Sequence, residues 1–225
     1  MLANNLANTG TAGFKADREF YSTYLAPELA NDSADPLVGE APVVQKQWTD
    51  FGQGTLLPTG NPTDLALSGS GFFSVQGPNG PLYTRDGKFH VSQQGVLMTD
   101  EGYPALMTTG KPVQLQPGIP MDVSSDGQIL QAGNVIGQLQ VSDFADATQL
   151  DKQGSSYFVA PQNLKPTASS AQVLQGKTET SNVPPAEAAT RLVSVMRQFE
   201  MLQRAIKMGT EMNREAIEQV ARVGS

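Results

Sequence analysis

Residues 4–15 read Asn-Asn-Leu-Ala-Asn-Thr-Gly-Thr-Ala-Gly-Phe-Lys, and a shorter signature, Ser-Asn-Val, stands at residues 181–183. Leu2–Ala7 is predicted to be the last turns of a helix, because residues 8–10 tolerate the left-handed conformation that ends many helices. An amphipathic helix is therefore expected upstream of Leu2. Asparagine recurs at positions 4, 5 and 8, whereas a helix end needs only one capping residue. The repetition favours buried or inter-subunit hydrogen bonds by these side chains.

The other end of the chain is predicted to be one long helix, residues 186–223. Pro184-Pro185 ends the extended chain before it, and Pro185 suits the first helical turn. Apolar positions then recur every seven residues in two rows four residues apart, and charged side chains lie largely elsewhere. These rows, here called the apolar seam, are Val195, Leu202, Gly209, Ala216 and Val223, and Phe199, Ile206, Asn213 and Val220, with Asn213 interrupting the apolar character.

Two kinds of packing fit the apolar seam. The helix could pack on the β domain of its own chain, or against another helix in the manner of a coiled coil. Nearly forty residues far exceed the mean helix length of about 11–12 residues and are hard to bury on one small sheet. Packing between chains, or between the two termini, is therefore favoured.

Residues 64–159 carry a different pattern, in which short β-prone runs alternate with turn signals. Asn-Gly and Asp-Gly accept the positive φ angles of tight hairpin turns, and the turns recur at intervals of roughly ten residues. This spacing predicts an antiparallel sheet folded on itself. The predicted strands are residues 72–75, 82–84, 89–91, 96–98, 113–115, 128–130 and 138–141. The predicted turns are Asn79-Gly80, Asp86-Gly87, Gln94-Gly95, Glu101-Gly102, Asp126-Gly127 and Asn134-Val135.

Residues 15–60 are predicted to be an extended connector. Four prolines, at positions 27, 36, 42 and 58, prevent long regular elements there. The two exceptions are a short helix near residues 20–25 and a strand at residues 43–48.

Composition excludes several classes of function. The 225-residue chain has 15 Lys and Arg against 22 Asp and Glu, a formal net charge of −7 and no basic block, so nucleic-acid binding is not expected. It has no cysteine, which rules out disulfides and thiolate metal sites. Residues 1–5 lack the basic and apolar regions of a secretory signal. No window approaches the ~18 apolar residues of a membrane span, so we expect no membrane insertion.

No set of residues predicts catalysis, a metal or a cofactor. His90 lies in a predicted strand without visible partners for a triad or a zinc site, so a structural or surface role is favoured. Ser68-Gly69-Ser70-Gly71 is not a nucleophile elbow, and its glycines favour close backbone packing. Four aspartates could be a glycosidase pair or calcium ligands, but two of them directly precede glycine, where an aspartate makes a turn. The four are Asp64, Asp86, Asp100 and Asp126.

Residues 4–15 resemble the motif of flagellar axial proteins, in which Asn-Asn-Leu-Ala-Asn is followed, after a short gap, by Thr-x-Gly-Phe/Tyr-Lys. Further matches follow in order along nearly the whole chain, and ordered matches of this kind are highly specific. They are Gly54, residues 59–62, 64–66, Gly69, residues 71–73, 83–87, Phe89, and residues 102–104 and 181–183. The chain is identified as a member of the flagellar basal-body rod and hook family, in particular its FlgF/FlgG branch. Residues 196–201 are more similar to the proximal-rod type than to the distal-rod type, which carries Gln-Arg-Ala-Tyr-Glu there.

The resemblance implies an α+β fold with two domains. Residues 1–60 with 177–225 would form a coiled-coil-like inner assembly domain of terminal helices and extended chain. Residues 61–176 would form a central all-β antiparallel domain outside it. Such subunits polymerise into the hollow rod, the periplasmic drive shaft of the flagellar basal body.

The resemblance also implies partners. These are other rod and hook-family subunits, copies of the chain itself, and the flagellar export apparatus, with type III export in place of a cleaved signal peptide. No cofactor is implied. The residues expected at the assembly interface are Asn4, Asn5, Leu6, Asn8, Phe14, Asn182, Val195, Phe199, Leu202, Ile206 and Val220.

Three alternatives stay open. The chain could be a hook or distal-rod subunit of the same family. It could be a carbohydrate-binding β module, which would display a surface cluster of Trp and Tyr, although the chain has only one Trp and five Tyr. It could be a hydrolase, which would need a general base or a set of metal ligands.

Overall fold

The computed structural model describes residues 1–25 and 40–223. The predicted N-terminal helix is confirmed as α1 (Leu2–Ala7). The left-handed helix end expected at residues 8–10 is wrong, because Asn8 follows α1 at φ −104° and ψ 16°. The side chains of the two residues after α1 instead bond carbonyls inside the helix, which satisfies its free C-terminal acceptors without a left-handed residue.

Two long strands follow, β1 (Asp17–Leu25) and β2 (Glu40–Thr49), and they pair with each other in antiparallel register. The strand predicted at residues 43–48 is therefore confirmed. The short helix predicted at residues 20–25 is wrong. These residues are mostly aromatic and β-branched types that favour a strand, and β2 supplies the hydrogen-bonding partner.

The rest of the described chain contains β-strands and one long helix. The strands are β3 (Leu56–Pro58), β4 (Leu65–Ser68), β5 (Phe72–Gly77), β6 (Gly80–Thr84), β7 (Phe89–Val91), β8 (Leu97–Thr99), β9 (Met121–Val123), β10 (Gln128–Gln131), β11 (Asn134–Gln138), β12 (Val141–Asp143), β13 (Asp151–Gln153), β14 (Tyr157–Val159), β15 (Thr167–Ala168), β16 (Gln172–Gln175) and β17 (Lys177–Glu179). A single 3₁₀ turn lies at Ala147–Gln149, and the helix is α2 (Pro185–Val223). The long C-terminal helix predicted at residues 186–223 is thus confirmed.

The strands pair antiparallel, as predicted. A six-stranded sheet has the order β13-β14-β6-β5-β12-β15, and a three-stranded sheet has the order β11-β10-β9. Two-stranded ribbons join β7 with β8, β4 with β16 and β3 with β17. The last two ribbons place the segment that follows β2 beside the segment that precedes α2. The fold is therefore mostly β, with a short N-terminal helix and a long C-terminal helix.

Consecutive residues of β5 enter two different hydrophobic clusters, because side chains alternate between the faces of a strand. Phe73 and Val75 are buried in the larger cluster, which fills the β region. Phe72 is buried in a smaller, aromatic cluster. That cluster contains Phe72, Tyr83, Phe144, Leu150 and Phe158, with Phe51 packed against it. Phe51 follows β2, so the aromatic cluster connects the N-terminal ribbon to the six-stranded sheet.

Most of the predicted strands are confirmed as β5, β6, β7, β8 and β10. The strand predicted at residues 113–115 is wrong. The residues beside Val113, Pro112 and Gln114, form only isolated bridges to Leu106 and Val96, so no continuous ladder runs through this segment. The predicted run 138–141 is also wrong, because it straddles the end of β11 and the start of β12.

Two predicted turns are also wrong. Asn134-Val135 begins β11, and the hairpin turn lies two residues earlier at Ala132-Gly133, with φ of 49° and 78°. This turn needs two positive φ angles, and alanine gives no sequence signal for one. Gly87 is not in a hairpin turn. It is held so close to Leu65 that an added Cβ would lie 1.5 Å from the Leu65 carbonyl oxygen.

Candidate assembly interface

Two asparagine side chains hold the backbone between the N-terminal motif and β1. Asn5 is buried; its Nδ2 donates to the Asp17 carbonyl at 2.8 Å and its Oδ1 accepts the Asp17 N–H at 3.0 Å. From the other end of the chain, Asn182 Oδ1 accepts the Ala16 N–H at 2.8 Å, and its Nδ2 donates to the Asp50 carbonyl at 2.7 Å. Asn5 and Asn182 thus bond within the subunit.

The other two asparagines of the motif have a local role or face outward. Asn8 Nδ2 donates to the Asn4 carbonyl at 2.9 Å, and its Oδ1 accepts from the Thr11 hydroxyl at 3.1 Å. Asn4 itself is exposed. The structure therefore brings Asn5 and Asn182 to one junction and leaves Asn4 and Asn8 at the end of α1.

Phe14 forms the apolar centre of this junction. It is fully buried, with Ala16, Val183 and Ala188 around it and Leu6 partly buried against them. Lys152 of β13 lies with its Nζ 4.0 Å from the centroid of the Phe14 ring. The same ammonium donates to the Lys15 carbonyl at 2.9 Å and to the carboxylate of Asp17 at 2.9 Å. The β region therefore holds the N-terminal motif directly.

Gly13 allows the motif to approach the β region closely. It adopts φ 64°, in the left-handed region that favours glycine. A Cβ added there would lie 2.2 Å from the backbone N of Asp86 and 2.3 Å from the carbonyl carbon of Arg85. No other residue type fits this position without a shift of the backbone.

A buried ionic cluster lies beside the motif. Lys15 Nζ donates to Glu179 Oε1 at 2.5 Å and to the Gly52 carbonyl at 2.8 Å. Arg85 Nη1 donates to Glu179 Oε2 at 3.2 Å, and the Gly54 N–H donates to Glu179 Oε1 at 2.8 Å. The exposed fractions of the three charged side chains are 0% for Lys15, 0% for Glu179 and 5% for Arg85. The carboxylate of Glu179 thus pairs with both Lys15 and Arg85, and the three side chains are almost fully shielded from water.

Burial dominates the electrostatics of this cluster. It lowers the pKa of Lys15 and the pKa of Arg85, because a desolvated cation is disfavoured, and Glu179 opposes the shift in both. An ion pair without water contributes little net stability compared with apolar packing, but loss of one partner is costly because it strands a buried charge. The cluster therefore depends most on Glu179, because its loss would leave both buried cations without a carboxylate.

Sequence reasoning missed Glu179, Arg85 and Lys152. Lys15 and Arg85 both lie in motifs that match the rod and hook family, at residues 4–15 and 83–87. The motifs mark these two positions but predict no role for their side chains. Glu179 ends the short strand β17 in a polar run, and Lys152 lies in β13. No local pattern marks either residue, because their function depends on contacts across more than a hundred positions.

The seven-residue spacing of the apolar seam extends back along α2 to Ala188 and Leu192, beside α1. Ala188 is buried in the cluster with Phe14, and one turn later Leu192 is half-buried. The same face of α2 then becomes exposed, since α1 has only six residues. The exposed fractions are 45% for Val195, 60% for Phe199, 63% for Leu202 and 68% for Ile206. Val220 lies outside the residues whose side chains the structure describes.

The opposite side of α2 has different chemistry. Glu200 and Arg204 form an exposed ion pair at 3.8 Å, one helical turn apart. Lys207 and Glu211 follow on the same side and are exposed. The described part of α2 therefore has an uncovered apolar seam and a solvated charged face, and further exposed apolar side chains, among them Val193 and Met208, lie on or beside the charged face.

The residues considered for catalysis lie apart from this junction or have simple structural roles. His90 is exposed, with its Nδ1 3.7 Å from Asp100 Oδ1. Asp86 and Asp126 accept hydrogen bonds from neighbours two residues away. A Cβ added to Gly71 would lie 2.5 Å from the Ser169 hydroxyl, which agrees with the predicted close packing. Among the described residues, no group of His, Asp and Glu is arranged to hold a metal.

The sequence matches two protein families over parts of its length and several known proteins over nearly all of it. The family described as flagellar hook protein FlgE/F/G D1 domain matches residues 66–156. The family described as flagellar basal body rod FlgEFG protein C-terminal matches residues 174–219. A flagellar basal-body rod protein FlgF from Caulobacter vibrioides is 32% identical over 99% of this chain and 91% of its own length. The chain belongs to the FlgF/FlgG family of flagellar basal-body rod proteins.

Two further relatives represent the FlgF and the FlgG types. A FlgF from Mesorhizobium japonicum is 31% identical over 96% of this chain and 88% of its own length. A FlgG from Buchnera aphidicola subsp. Schizaphis graminum is 30% identical over 94% of this chain and 90% of its own length. The rod-family protein is most like FlgF.

Family membership decides the class of function. The chain is a structural subunit of the basal-body rod rather than an enzyme, and its place is the flagellar basal body. In residues 1–25 and 40–223, no helix is long and apolar enough to cross a membrane.

The two family matches also contain the junction. Arg85 and Lys152 lie in the segment matched to the D1 domain, whereas Glu179 and Asn182 lie in the segment matched to the C-terminal region. The buried cluster thus joins both family regions to the N-terminal motif.

Proposed function

We propose that this rod-family protein polymerises through its termini, with the apolar seam of α2 packed against helices of neighbouring subunits. Residues 1–60 with 177–225 form the inner, coiled-coil-like assembly domain, and residues 61–176 form the β domain outside it. The observation that carries this proposal is the exposure of Val195, Phe199, Leu202 and Ile206 on one face of α2.

Energetics support a helix as the partner of the seam. Burial of a side chain such as Phe199, Leu202 or Ile206 contributes about 1.5–3 kcal/mol, and all three are more than half exposed in the single chain. Heptad spacing places these side chains on one line along α2, which is the spacing that a facing helix accommodates. A contiguous apolar line of this kind on a soluble chain marks an interaction surface.

The junction residues have a different role in the proposed assembly. Asn5, Phe14 and Asn182 are engaged inside the subunit, so they act by fixing the direction in which α1 and α2 leave the β region. Asn4, Leu6 and Asn8 lie on α1 or at its end, beside the start of the seam. We place Val195, Phe199, Leu202, Ile206 and Val220 at the contacts between subunits.

The proposed partners follow from the family. Copies of this chain and other rod and hook-family subunits surround α2 in a hollow drive shaft for motility. The flagellar type III apparatus exports the chain without a cleaved signal peptide and without membrane insertion. The net charge of −7 and the absence of cysteine are compatible with this route and with the periplasm.

Site-specific cross-linking in isolated basal bodies tests the proposal. Because the chain has no cysteine, an Ile206→Cys variant carries a thiol-reactive, photoactivatable cross-linker at one known position. We expect light to link it to other rod subunits. Arg204→Cys, on the charged face two residues away, serves as the matched control and should give far less product. Equal yields from the two positions would contradict packing through the seam.

A further inference from the structure

Three distant segments meet on the carboxylate of Glu179. Lys15 stands 164 positions before it and Arg85 stands 94 positions before it. Each cation has one further acceptor, the Gly52 carbonyl for Lys15 and the Gly69 carbonyl for Arg85. Neither of those carbonyls is an anion, so Glu179 supplies the charge that both cations share.

We propose that Lys15, Arg85 and Glu179 form a latch in which the N-terminal motif docks only after Glu179, paired with Arg85 of the β domain, is in place. Without Glu179, Lys15 and Arg85 are two buried cations that repel each other. The N-terminal motif therefore does not dock on the β domain alone. Arg85 belongs to the β domain and pairs with Glu179 in the absence of Lys15, so β17 can close there before the motif docks.

Closure of the latch positions the C-terminal end of α1 and the N-terminal end of α2. The Gly13 N–H donates to the Glu179 carbonyl at 2.8 Å, and the Asn182 N–H donates to the Phe14 carbonyl at 3.3 Å. These bonds join the motif to the chain before α2, and the Phe14 cluster then covers Ala188. The N-terminal motif and α1 therefore stay undocked until the chain before α2 is in place.

The shared carboxylate gives the latch a property that ordinary ion pairs lack. If Lys15 is replaced by methionine, Arg85 and Glu179 remain as a neutral pair, and if Arg85 is replaced, Lys15 and Glu179 remain. Either cation is then sufficient to keep Glu179 paired. Loss of both strands the carboxylate, and loss of the carboxylate strands both cations. The effects of the two cations are therefore strongly non-additive.

Hydrogen exchange on the purified full chain measures how readily the latch opens. The variants are Lys15→Met, Arg85→Met, the double variant and Glu179→Gln. The reporters are the amides of Ala16, Asp17 and Asn182. We expect exchange at these amides to accelerate by about a hundredfold or more in Glu179→Gln and in the double variant, but by less than about tenfold in either single variant. Both ends should open together.

Two comparisons separate the latch from general destabilisation. The amides of Ile129 and Phe73 in the β core should keep their protection, and Arg18→Met should change little, because Arg18 pairs with Asp50 at the surface. Effects of Lys15→Met and Arg85→Met that simply add in the double variant would overturn the proposal. Opening of residues 180–188 without opening of residues 13–17 would also overturn it. If Glu179→Gln unfolds the β core as well, the other three variants still test the proposal, because they show whether the effects of Lys15→Met and Arg85→Met add in the double variant.

Discussion

Asn182 accepts the backbone N–H of Ala16 through its Oδ1 at 2.8 Å, although 166 positions separate the two residues. Its Nδ2 donates to the carbonyls of Asp50 and Gly52. One side chain from the start of the C-terminal region thus completes the backbone hydrogen bonds of two N-terminal segments. This contact explains why a short Ser-Asn-Val signature stands before α2.

Asn182→Ala should therefore destabilise the junction. The Ala16 N–H and the Asp50 carbonyl would lose their partner in a half-buried place, which costs about 1–3 kcal/mol. Urea denaturation followed by circular dichroism measures the loss in the free energy of unfolding. Asn8→Ala is the matched control, since its side chain bonds at an exposed helix end, and it should cost less than about 1 kcal/mol. Equal losses would show that the junction does not depend on Asn182.

Gly13→Ala should be severe. The left-handed conformation costs a residue with a Cβ about 1–2 kcal/mol. The forced contact with the backbone of Asp86 adds about 1–3 kcal/mol of strain. Gly10→Ala is a control three positions away, because no atom lies within 4 Å of an added Cβ there. Thermal unfolding should show a large decrease in Tm for Gly13→Ala only; similar Tm values for the two variants would contradict the close approach.

Stability should fall as the pH rises through the acid range because of Asp86. Burial, with a smaller contribution from the charge of Glu101, raises the pKa of the Asp86 carboxyl from 3.8 to about 6. Between these values the native state binds more protons than the unfolded state. The free energy of unfolding contributed by Asp86 is therefore fully present below about pH 4 and is lost by about pH 6.

Asp86→Asn tests this sign. Asparagine retains an oxygen that accepts the Lys88 N–H, which Asp86 accepts at 3.0 Å, but it does not ionise. The variant should be more stable than the natural chain at pH 7, and the decrease between about pH 4 and pH 6 should become smaller. Asp126→Asn is the control, because hydrogen bonds from Ser124 lower the pKa of Asp126 and its contribution has the opposite sign. A decrease that survives in Asp86→Asn would exclude Asp86 as its source.

The fold was predictable where local chemistry decides it. The turn residues Gly80, Gly95, Gly102 and Gly127 adopt positive φ as their sequences predict, and the strands between them follow. Pairs such as β3 with β17 and β4 with β16 were not predictable, because those strands are short and their partners lie more than a hundred positions away. The strand at residues 20–25 was mistaken for a helix for the same reason, since β2 decides it.

The candidate site was predictable in part. Heptad spacing marked the seam, whose residues Phe199 and Ile206 are exposed. The motif asparagines were marked as polar contacts, but spacing alone did not separate Asn5, which is buried, from Asn4, which is exposed. The pairing of Lys15 with Glu179 depends on the approach of two chain ends, and no short pattern contains that information.

The central claim is that the seam of α2 is the assembly surface, and Ile206→Asp tests it most directly. A carboxylate at that position would be buried without a partner at every contact between subunits, at a cost of several kcal/mol each. The measurement is electron microscopy of basal bodies from cells that produce Ile206→Asp or Arg204→Glu in place of the natural chain, with swimming recorded in parallel. We predict absent or truncated rods and no swimming for Ile206→Asp, with normal export and an intact β domain, and a mild effect for Arg204→Glu. Full-length rods and normal swimming in Ile206→Asp cells would contradict the account.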